Sequence, residues 1–315
     1  MNDASANSSS PDPRRSDVRP PDGDYLDTRR SGGCRLLGRV TGNQLLGSMV
    51  RLTIEVPGWG GAQPGQFALV QAEPSRCFLA RALSVSDQTD KTVSFLIAPI
   101  GEGTRELCGL APGEPVWVLG PLGNGFDVDA LVLSPGRAVI VAGGAGVAPF
   151  PLLLSRMVER YRALFPEPAG EQPGSPVAAG PEVLVLLGFR DTVQFQSATP
   201  VREAALVLGQ SGLRCRLEVA TEDGSRGPAE RATDLLERHL QTGDRVAVCG
   251  PGAMLTAVWR VCSGVPDVET WFSLETNMAC GVGSCHGCLV MLADGSGARV
   301  CHDGPVFSGK EVFGA

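Results

Sequence analysis

The stretch AVIVAGGAGVAPFPLLL, residues 138–154, marks the point at which the sequence changes its period. It opens with a continuous apolar run that ends in glycines, which is typical of a buried strand in a parallel sheet. From residue 150 onward, apolar side chains recur at helical spacing as far as residue 165. The stretch therefore predicts a strand, a glycine-rich turn and a helix in succession.

Downstream of this unit, apolar runs with strand character alternate with segments of helical period. Strands are predicted at 182–189, 213–221, 244–250 and 268–275, and helices at 232–240 and 253–262. This alternation predicts a Rossmann-like parallel sheet with helices on both faces. A stretch rich in Pro and Gly, residues 166–181, interrupts the pattern and is predicted to be a surface insertion.

Upstream of residue 136 the pattern is different. Short runs rich in Val, Ile, Leu and Phe alternate in polarity and are bounded by Gly, Pro, Asn and Asp. Five of these runs are predicted to be strands: 48–56, 66–72, 81–87, 92–98 and 114–121. Several short strands at this spacing predict a small antiparallel barrel.

Composition divides the chain further. Residues 1–33 mix Ser, Pro, Asp and Arg with few large apolar side chains, so they are predicted to be a disordered tail. We therefore expect a multidomain protein of the β plus α/β class. It should have a barrel at 34–135, a parallel α/β domain at 136–275 and a small C-terminal module at 276–315.

The net charge and the apolar runs argue against two kinds of partner. The formal net charge is -7 and no basic stripe is present, which argues against a nucleic-acid-binding protein. No apolar run approaches the roughly 18–20 residues of a membrane span, and residues 1–33 lack the apolar core of a secretory signal. We expect a soluble cytoplasmic protein that binds neither nucleic acid nor membrane.

Four cysteines form a cluster in the last part of the sequence. Residues 280–288 read CGVGSCHGC, and one more cysteine follows downstream. The spacing is C-x4-C-x2-C-x12-C, set by Cys280, Cys285, Cys288 and Cys301. In a reducing compartment such clusters bind metal more often than they form disulfides, and this pattern is that of plant-type [2Fe–2S] proteins. Structural zinc is the alternative. His286 is a candidate hydrogen-bond donor to the cluster.

Two glycine-containing turns are compatible with phosphate binding. Gly144 and Gly146 lie between the first parallel strand and its helix, where free N–H groups and the helix dipole favour an anion. A plain strand-to-helix turn would contain the same glycines, and Pro149 stands where the dinucleotide fingerprint has its last glycine. In the barrel, Gly103 and Thr104 are predicted to lie just before a helix.

The predicted barrel strand RALSVS, residues 81–86, places one cation and two hydroxyls among alternating residues. We expect Arg81 and Ser84 to hold a phosphate and a ring edge from one strand face. The alternative is an exposed edge strand without a ligand.

Together these motifs resemble the electron-transfer subunits of B-type dihydroorotate dehydrogenases, a branch of the ferredoxin reductase family. The resemblance covers about residues 35–312. Motifs shared with flavin reductases are PGQF at 64–67, RALSVS at 81–86, GEGT at 101–104, GGAGVAPF at 143–150 and CGPGAML at 249–255. More particular to this branch are GPLGNGF at 120–126 and the cysteine loop with CHDGPVF at 301–307.

The resemblance implies FAD in the barrel, NAD in the α/β domain and a [2Fe–2S] cluster in the C-terminal module. It implies an oxidoreductase subunit that takes electrons from an FMN-containing catalytic partner, which oxidises dihydroorotate in pyrimidine synthesis, and delivers them to NAD⁺. A heterotetramer is expected, and the chain alone should not oxidise dihydroorotate. Subunits of a sulfide dehydrogenase, an NADPH–ferredoxin reductase or a hydrogenase stay open as alternatives, as does a zinc-stabilised module without activity.

The resemblance also assigns residues by position. FAD contacts are implied for Arg81, Ala82, Leu83, Ser84, Leu96, Ile97, Ala98, Gly103 and Thr104. Cys249 and Glu275 are candidates for the pocket near the nicotinamide and flavin, and Gly144 and Gly146 are candidates for dinucleotide binding. Ala82 departs from the family, which commonly has proline there. No residue is assigned as a catalytic acid or base, because hydride transfer needs alignment and the cofactors supply the reactivity.

Overall fold

A computed structural model describes residues 34–165 and 181–314, so the predicted tail and nearly all of the predicted insertion lie outside the described residues. The first six strands are β1 Cys34–Leu46, β2 Met49–Glu55, β3 Phe67–Ala72, β4 Arg81–Gln88, β5 Thr92–Ile97 and β6 Pro115–Leu122. They form a closed antiparallel barrel in the order β1-β2-β5-β4-β3-β6. The predicted barrel is confirmed.

The first barrel strand, β1, is not among the five strands that the pattern predicts. Glycines and polar residues interrupt its apolar alternation, and its pairing with β2 shifts register between Val40 and Gly42. Gly38 is needed for close packing, because a Cβ there would stand 2.6 Å from Cγ2 of Ile54. Helix α1, Glu102–Cys108, packs its buried apolar side against the barrel core.

The chain then builds a parallel sheet. Its strands are β7 Ala138–Gly143, β8 Glu182–Phe189, β9 Arg214–Thr221, β10 Arg245–Cys249 and β11 Glu269–Ser273. They lie in the order β11-β10-β7-β8-β9, and all neighbours are parallel. The predicted Rossmann-like arrangement is therefore confirmed.

Helices cover both faces of this sheet, as predicted. They are α2 Val128–Leu133, α3 Phe150–Leu164, α4 Thr192–Phe195, α5 Thr199–Gly209, α6 Ala232–His239 and α7 Gly252–Ser263. One face packs against α3 and α5, and the other against α6 and α7. The pattern does not predict α5, because exposed Leu206 and Val207 obscure its apolar stripe. No helix in the described ranges is long and apolar enough to cross a bilayer.

Beyond β11 the chain forms the cysteine loop, a small sheet and a return to the large sheet. The small sheet consists of β12 Leu289–Met291 and β13 Gly297–Arg299. Next, β14 Val306–Ser308 pairs antiparallel with β11, and α8 Gly309–Phe313 follows. An apolar cluster joins the barrel to this C-terminal segment, and it includes Phe67, Leu69, Leu122, Cys288, Cys301 and Phe307. The C-terminal segment is therefore packed against both the barrel and the sheet.

Candidate cofactor cleft and cysteine cluster

The four predicted metal ligands lie together in the C-terminal segment. The Sγ atoms of Cys288 and Cys301 are 3.2 Å apart, and both side chains are buried. Cys280 is half-buried and Cys285 is exposed. In the described part of the chain, no three His, Cys, Asp or Glu side chains converge on the position of a single ion. In this group of four sulfurs, those of Cys288 and Cys301 are therefore buried, and Cys285 is accessible to solvent.

Main-chain N–H groups of the loop donate to these sulfurs. Gly283 N lies 3.1 Å from Sγ of Cys301, and Cys285 N lies 3.4 Å from Sγ of Cys280. The other two sulfurs each accept an N–H group at 3.4 Å. The loop can turn its N–H groups inward because Gly281 and Gly283 adopt positive φ angles of 70° and 81°.

The thiols differ in how readily they ionise. Burial opposes ionisation of Cys280, but hydrogen bonds from the N–H groups of Cys285 and Val282 and from the side chains of Ser284 and Cys285 together outweigh it and lower the pKa of Cys280 to about 6. Burial, together with neighbouring Cys288, raises the pKa of Cys301 to about 12. A thiol of this kind ionises when a metal ion shares its site. Four sulfurs with N–H groups aimed at them are a donor set that fits a [2Fe–2S] cluster.

The hydrogen bond from His286 to the cluster stays a prediction. The backbone of His286 has a φ of 57°, and its side chain points to solvent. Within residues 34–165 and 181–314, no hydrogen bond joins its imidazole to a sulfur. Its position is explained by the left-handed turn that it occupies in the cysteine loop.

A cleft of about 220 Å³ lies where the barrel, the sheet and the segment after β11 meet. Concave, mostly apolar walls with a few polar groups are typical of a cofactor site. Its barrel wall carries six of the residues assigned to FAD by the resemblance: Ala82, Leu83, Ser84, Leu96, Ala98 and Thr104. The structure therefore brings these residues to one surface.

Arg81 and Ser84 do not share a strand face, so that expectation was wrong. Side chains alternate along a strand, and the register pairs Arg81 with Val70 and Ser84 with Phe67. Ser84 lines the cleft. Arg81 instead packs against α1, where its Nε is buried without a hydrogen-bond partner among the described residues and its Nη2 donates to the Leu79 carbonyl at 2.9 Å.

Gly103 makes room for this arginine. It lies in the first turn of α1 rather than before it, and a Cβ there would stand 2.3 Å from Nε of Arg81. The Thr104 hydroxyl donates to the Gly101 carbonyl at 3.1 Å and accepts from the Gly101 N–H at 3.0 Å. The Arg81 guanidinium beside this helix start, with its Nε buried and unpaired within the described residues, fits an anionic group such as a cofactor phosphate.

Ile97 does not line the cleft. Its side chain is fully buried in the barrel core. Leu96 and Ala98 on either side of it face the cleft, which is the alternation expected at the end of a strand. Only the main chain of Ile97 could therefore lie along a flavin.

The turn after β7 is a short 3₁₀ helix that begins at Gly144, whose φ is 55°. Ala145 and Ala148 line the cleft, whereas the glycines do not. Gly146 is buried against β10, because a Cβ there would stand 2.2 Å from the carbonyl oxygen of Cys249. The glycines thus shape the turn and bring it close to the neighbouring strand, and their contact with a dinucleotide stays a prediction.

Cys249 and Glu275 lie on the sheet side of the cleft. Cys249 is 1% exposed and pairs across the sheet with Ser273, which lines the cleft. Burial, followed by the charge of Glu275, raises the pKa of the Cys249 thiol. Glu275 is open to solvent within the cleft, yet the surrounding protein still raises its pKa by desolvation. Cys249 is therefore a neutral thiol behind the wall, whereas Glu275 is placed to contact a bound group.

The neighbours of Glu275 in the segment after β11 also line the cleft, and sequence reasoning missed them. Leu274, Thr276 and Met278 face the cleft together with Pro305. Cys280 follows Met278 by two residues. The position of these residues along the sequence was a usable signal. A link of a few residues between the last parallel strand and the cysteine loop must run past any site that lies between the sheet and the loop.

The GPLGNGF segment ties the barrel to the cysteine segment. Asn124 N lies 2.6 Å from the Gly304 carbonyl oxygen, and its Nδ2 donates to the Asp303 carbonyl at 3.0 Å. A Cβ at Gly123 would stand 2.6 Å from the Gly304 oxygen. These contacts hold the chain that follows Cys301 against the end of β6.

The C-terminal segment matches a known family of domains. Residues 275–313 match the family described as the iron-sulfur cluster binding domain of dihydroorotate dehydrogenase B. The matched range contains all four cysteines together with Glu275, Thr276 and Met278 of the cleft.

Curated proteins match most of the chain. A protein of Listeria monocytogenes is 33% identical over 256 residues, which cover 80% of this chain and 88% of the relative. A protein of Caldanaerobacter subterraneus is 33% identical over 285 residues, which cover 89% and 98%. Both are named dihydroorotate dehydrogenase B (NAD(+)), electron transfer subunit.

Solved structures share the fold. A chain from the structure of an NADH-dependent reduced ferredoxin-NADP oxidoreductase has a TM-score of 0.68 at 24% identity, over 89% of this chain and 91% of the other. A ferredoxin NADP+ reductase from Neisseria gonorrhoeae with bound FAD and NADP has a TM-score of 0.57 at 14% identity, over 76% and 99%. These likenesses show a ferredoxin-reductase-like fold. The curated relatives show that the chain belongs to the family of dihydroorotate dehydrogenase B electron-transfer subunits.

Proposed function

We propose that this chain is the electron-transfer subunit of a dihydroorotate dehydrogenase and carries electrons from a catalytic partner to NAD⁺ in pyrimidine biosynthesis. One observation carries the proposal: the cleft and the cysteine loop share a segment. Residues 273–276 and Met278 line the cleft, and Cys280 follows two residues later. A group bound in the cleft and a group bound by the cysteines would therefore be neighbours.

The described residues fit the cofactors that this function needs. FAD would be held along β4 and β5, with Arg81 and Thr104 near its phosphates, and NAD would be held at the turn that begins at Gly144. The [2Fe–2S] cluster would be held by Cys280, Cys285, Cys288 and Cys301. When bound, FAD exchanges electron pairs with NAD and single electrons with the cluster, and this chemistry belongs to the cofactors themselves. The chain's own residues bind these groups, align them and exclude water.

The oxidation of dihydroorotate is assigned to the partner. We propose that the partner carries FMN and forms a heterotetramer with this chain in the cytoplasm. The word "subunit" in the names of the curated relatives supports a catalytic partner.

We also propose that residues 34–315 are organised in three units: the barrel at 34–135, the α/β domain at 136–275 and the cluster module at 276–315. The module is not independent of the α/β domain, because β14 extends the large sheet. Its removal would uncover the edge of β11.

The cofactor content tests the proposal directly. The chain is purified without oxygen, and iron, acid-labile sulfide and flavin are counted on one sample. We expect flavin together with iron and sulfide in the 2:2 ratio of a [2Fe–2S] cluster. Cys288→Ser should lose iron and sulfide and keep flavin. The matched control is Cys77→Ser, a half-buried thiol outside the loop, which should keep all three. Flavin with zinc and no iron would contradict the proposal.

The partner is tested by reconstitution. Mixed with an FMN-containing subunit that oxidises dihydroorotate, the chain should confer reduction of NAD⁺ by dihydroorotate, and alone it should show none. Recovery of a hydrogenase or a sulfide dehydrogenase subunit as the stable partner, with no effect on dihydroorotate oxidation, would overturn the assignment.

A further inference from the structure

The Arg299 side chain connects two segments that flank the buried sulfur of Cys301. Its Nε and Nη2 donate to the two carboxylate oxygens of Asp303, both at 3.1 Å. The main-chain N–H of Arg299 donates to the same carboxylate at 2.7 Å. Its Nη1 lies 3.4 Å from the carbonyl oxygen of Gly283. One planar guanidinium therefore bridges the turn after β13 and the cysteine loop.

Gly283 is the residue whose N–H donates to Sγ of Cys301. This distance of 3.1 Å is shorter than the 3.4 Å of the other N–H contacts with sulfur in the loop. Gly283 has a φ of 81°, a conformation that glycine adopts readily, and it is packed closely against His302. Arg299 contacts the carbonyl of Gly283, and the Cys301 sulfur accepts the N–H of Gly283. Both main-chain polar groups of Gly283 are therefore held in place.

We propose that Arg299 is a positioning residue that fixes the Gly283 N–H on the Cys301 sulfur and thereby makes the cluster easier to reduce. The inference rests on the proposed function, because it requires a bound [2Fe–2S] cluster. Hydrogen bonds to the sulfurs stabilise the extra negative charge of the reduced cluster and so set its potential. Asp303 neutralises the charge of Arg299, so we attribute the effect to orientation rather than to the field of the cation.

A lysine separates orientation from charge. It keeps the positive charge but cannot make two parallel bonds to Asp303 and also reach the Gly283 carbonyl. We expect both Arg299→Lys and Arg299→Gln to lower the midpoint potential, by about a tenfold change in the one-electron equilibrium, or ~59 mV. Asp303→Asn separates the two effects by the direction in which the midpoint potential changes. Loss of the orientation of Gly283 lowers the potential, whereas the charge of an arginine without its carboxylate raises it.

The experiment is a redox titration of the anaerobically purified holo chain, followed by electron paramagnetic resonance, with iron counted for every variant. The matched control is Arg238→Gln, which removes another two-point arginine–carboxylate pair, with Glu230, and should leave the potential unchanged. A wild-type potential in Arg299→Lys, or a raised potential in Asp303→Asn, would overturn the inference. A wild-type chain without a cluster would instead overturn the proposed function, so the two failures are distinct.

Discussion

Gly281 lies directly against Leu69: a Cβ at position 281 would stand 2.8 Å from Cδ1 of Leu69 and 3.0 Å from Cδ1 of Leu122. The start of the cysteine loop is therefore packed onto the outside of the barrel, next to the apolar cluster that contains Leu69, Leu122 and Cys288. The contact leaves no space for a methyl group between the two parts.

This contact predicts the effect of Gly281→Ala. Alanine carries a backbone cost of about 1 kcal/mol at a positive φ and here also collides with the barrel. We expect the variant to lose most of its iron. Gly295→Ala is the matched control, because Gly295 has a φ of 84° and nothing within 4 Å of an added Cβ. Iron content and the temperature of visible bleaching measure the difference, and equal behaviour of the two variants would contradict the prediction.

Gly103→Ala should separate cofactor affinity from stability. The added methyl would displace the flexible end of Arg81, whereas alanine is favoured over glycine in a helix by about 1 kcal/mol. We expect FAD affinity to fall about tenfold, or ~1.4 kcal/mol, without a fall in the free energy of unfolding of the apo chain. Flavin titration and urea unfolding measure the two quantities. In the control Gly42→Ala, where the nearest atom is 3.6 Å away, FAD affinity should not change. Unchanged affinity in Gly103→Ala would exclude the role of Arg81.

Glu275 should make the thermal stability of the chain depend on pH. Desolvation raises its pKa, so folding favours the protonated acid. Its contribution to stability is full below about pH 4.5 and is lost as the pH rises through its pKa in the folded chain. We expect Glu275→Gln to have a higher Tm than wild type at pH 8 and the two values to converge toward pH 4.5. Thermal melts across this range test it, and a difference that does not vary with pH would refute it.

The pair of Arg137 and Asp244 should contribute strongly to the stability of the α/β sheet. Nε and Nη2 of Arg137 lie 3.0 and 2.8 Å from the two carboxylate oxygens of Asp244, which is 1% exposed. Asp244→Ala removes the two-point partner of the partly buried Arg137, which keeps only Glu182 and the His239 carbonyl, and we expect a loss of about 1.5–3 kcal/mol. Urea unfolding measures the loss. Glu230→Ala removes the more exposed pair with Arg238 and should change the midpoint little. Equal losses in the two variants would contradict the prediction.

The local sequence pattern is sufficient to predict a strand whose residues are all buried. It is also sufficient to predict a site whose residues are close together in the sequence. Every residue of β7 is buried, so its apolar run predicts a strand without further information. Three of the four cysteines lie within nine residues, 280–288, and their spacing predicts a loop that surrounds a metal centre before any fold is known.

Pairing between distant segments is not visible in the local pattern. Three residues are enough to form β14, Val306–Ser308, and its place beside β11 depends on the path of the cysteine loop between them. The expected relation of Arg81 to Ser84 was wrong for a different reason. The segment is a strand, as predicted, and residues three apart in a strand face opposite sides.

The position of β14 also has a consequence for synthesis of the protein. Chains emerge from the ribosome in sequence order, and all four cysteines precede residues 306–308. Until those residues are available, β11 presents an open edge whose N–H and C=O groups can pair with another chain. A nascent chain therefore completes its sheet only after every sulfur of the loop has been made. A message truncated between Cys301 and Val306 would yield a product with a full set of thiols and an unprotected edge, prone to aggregation.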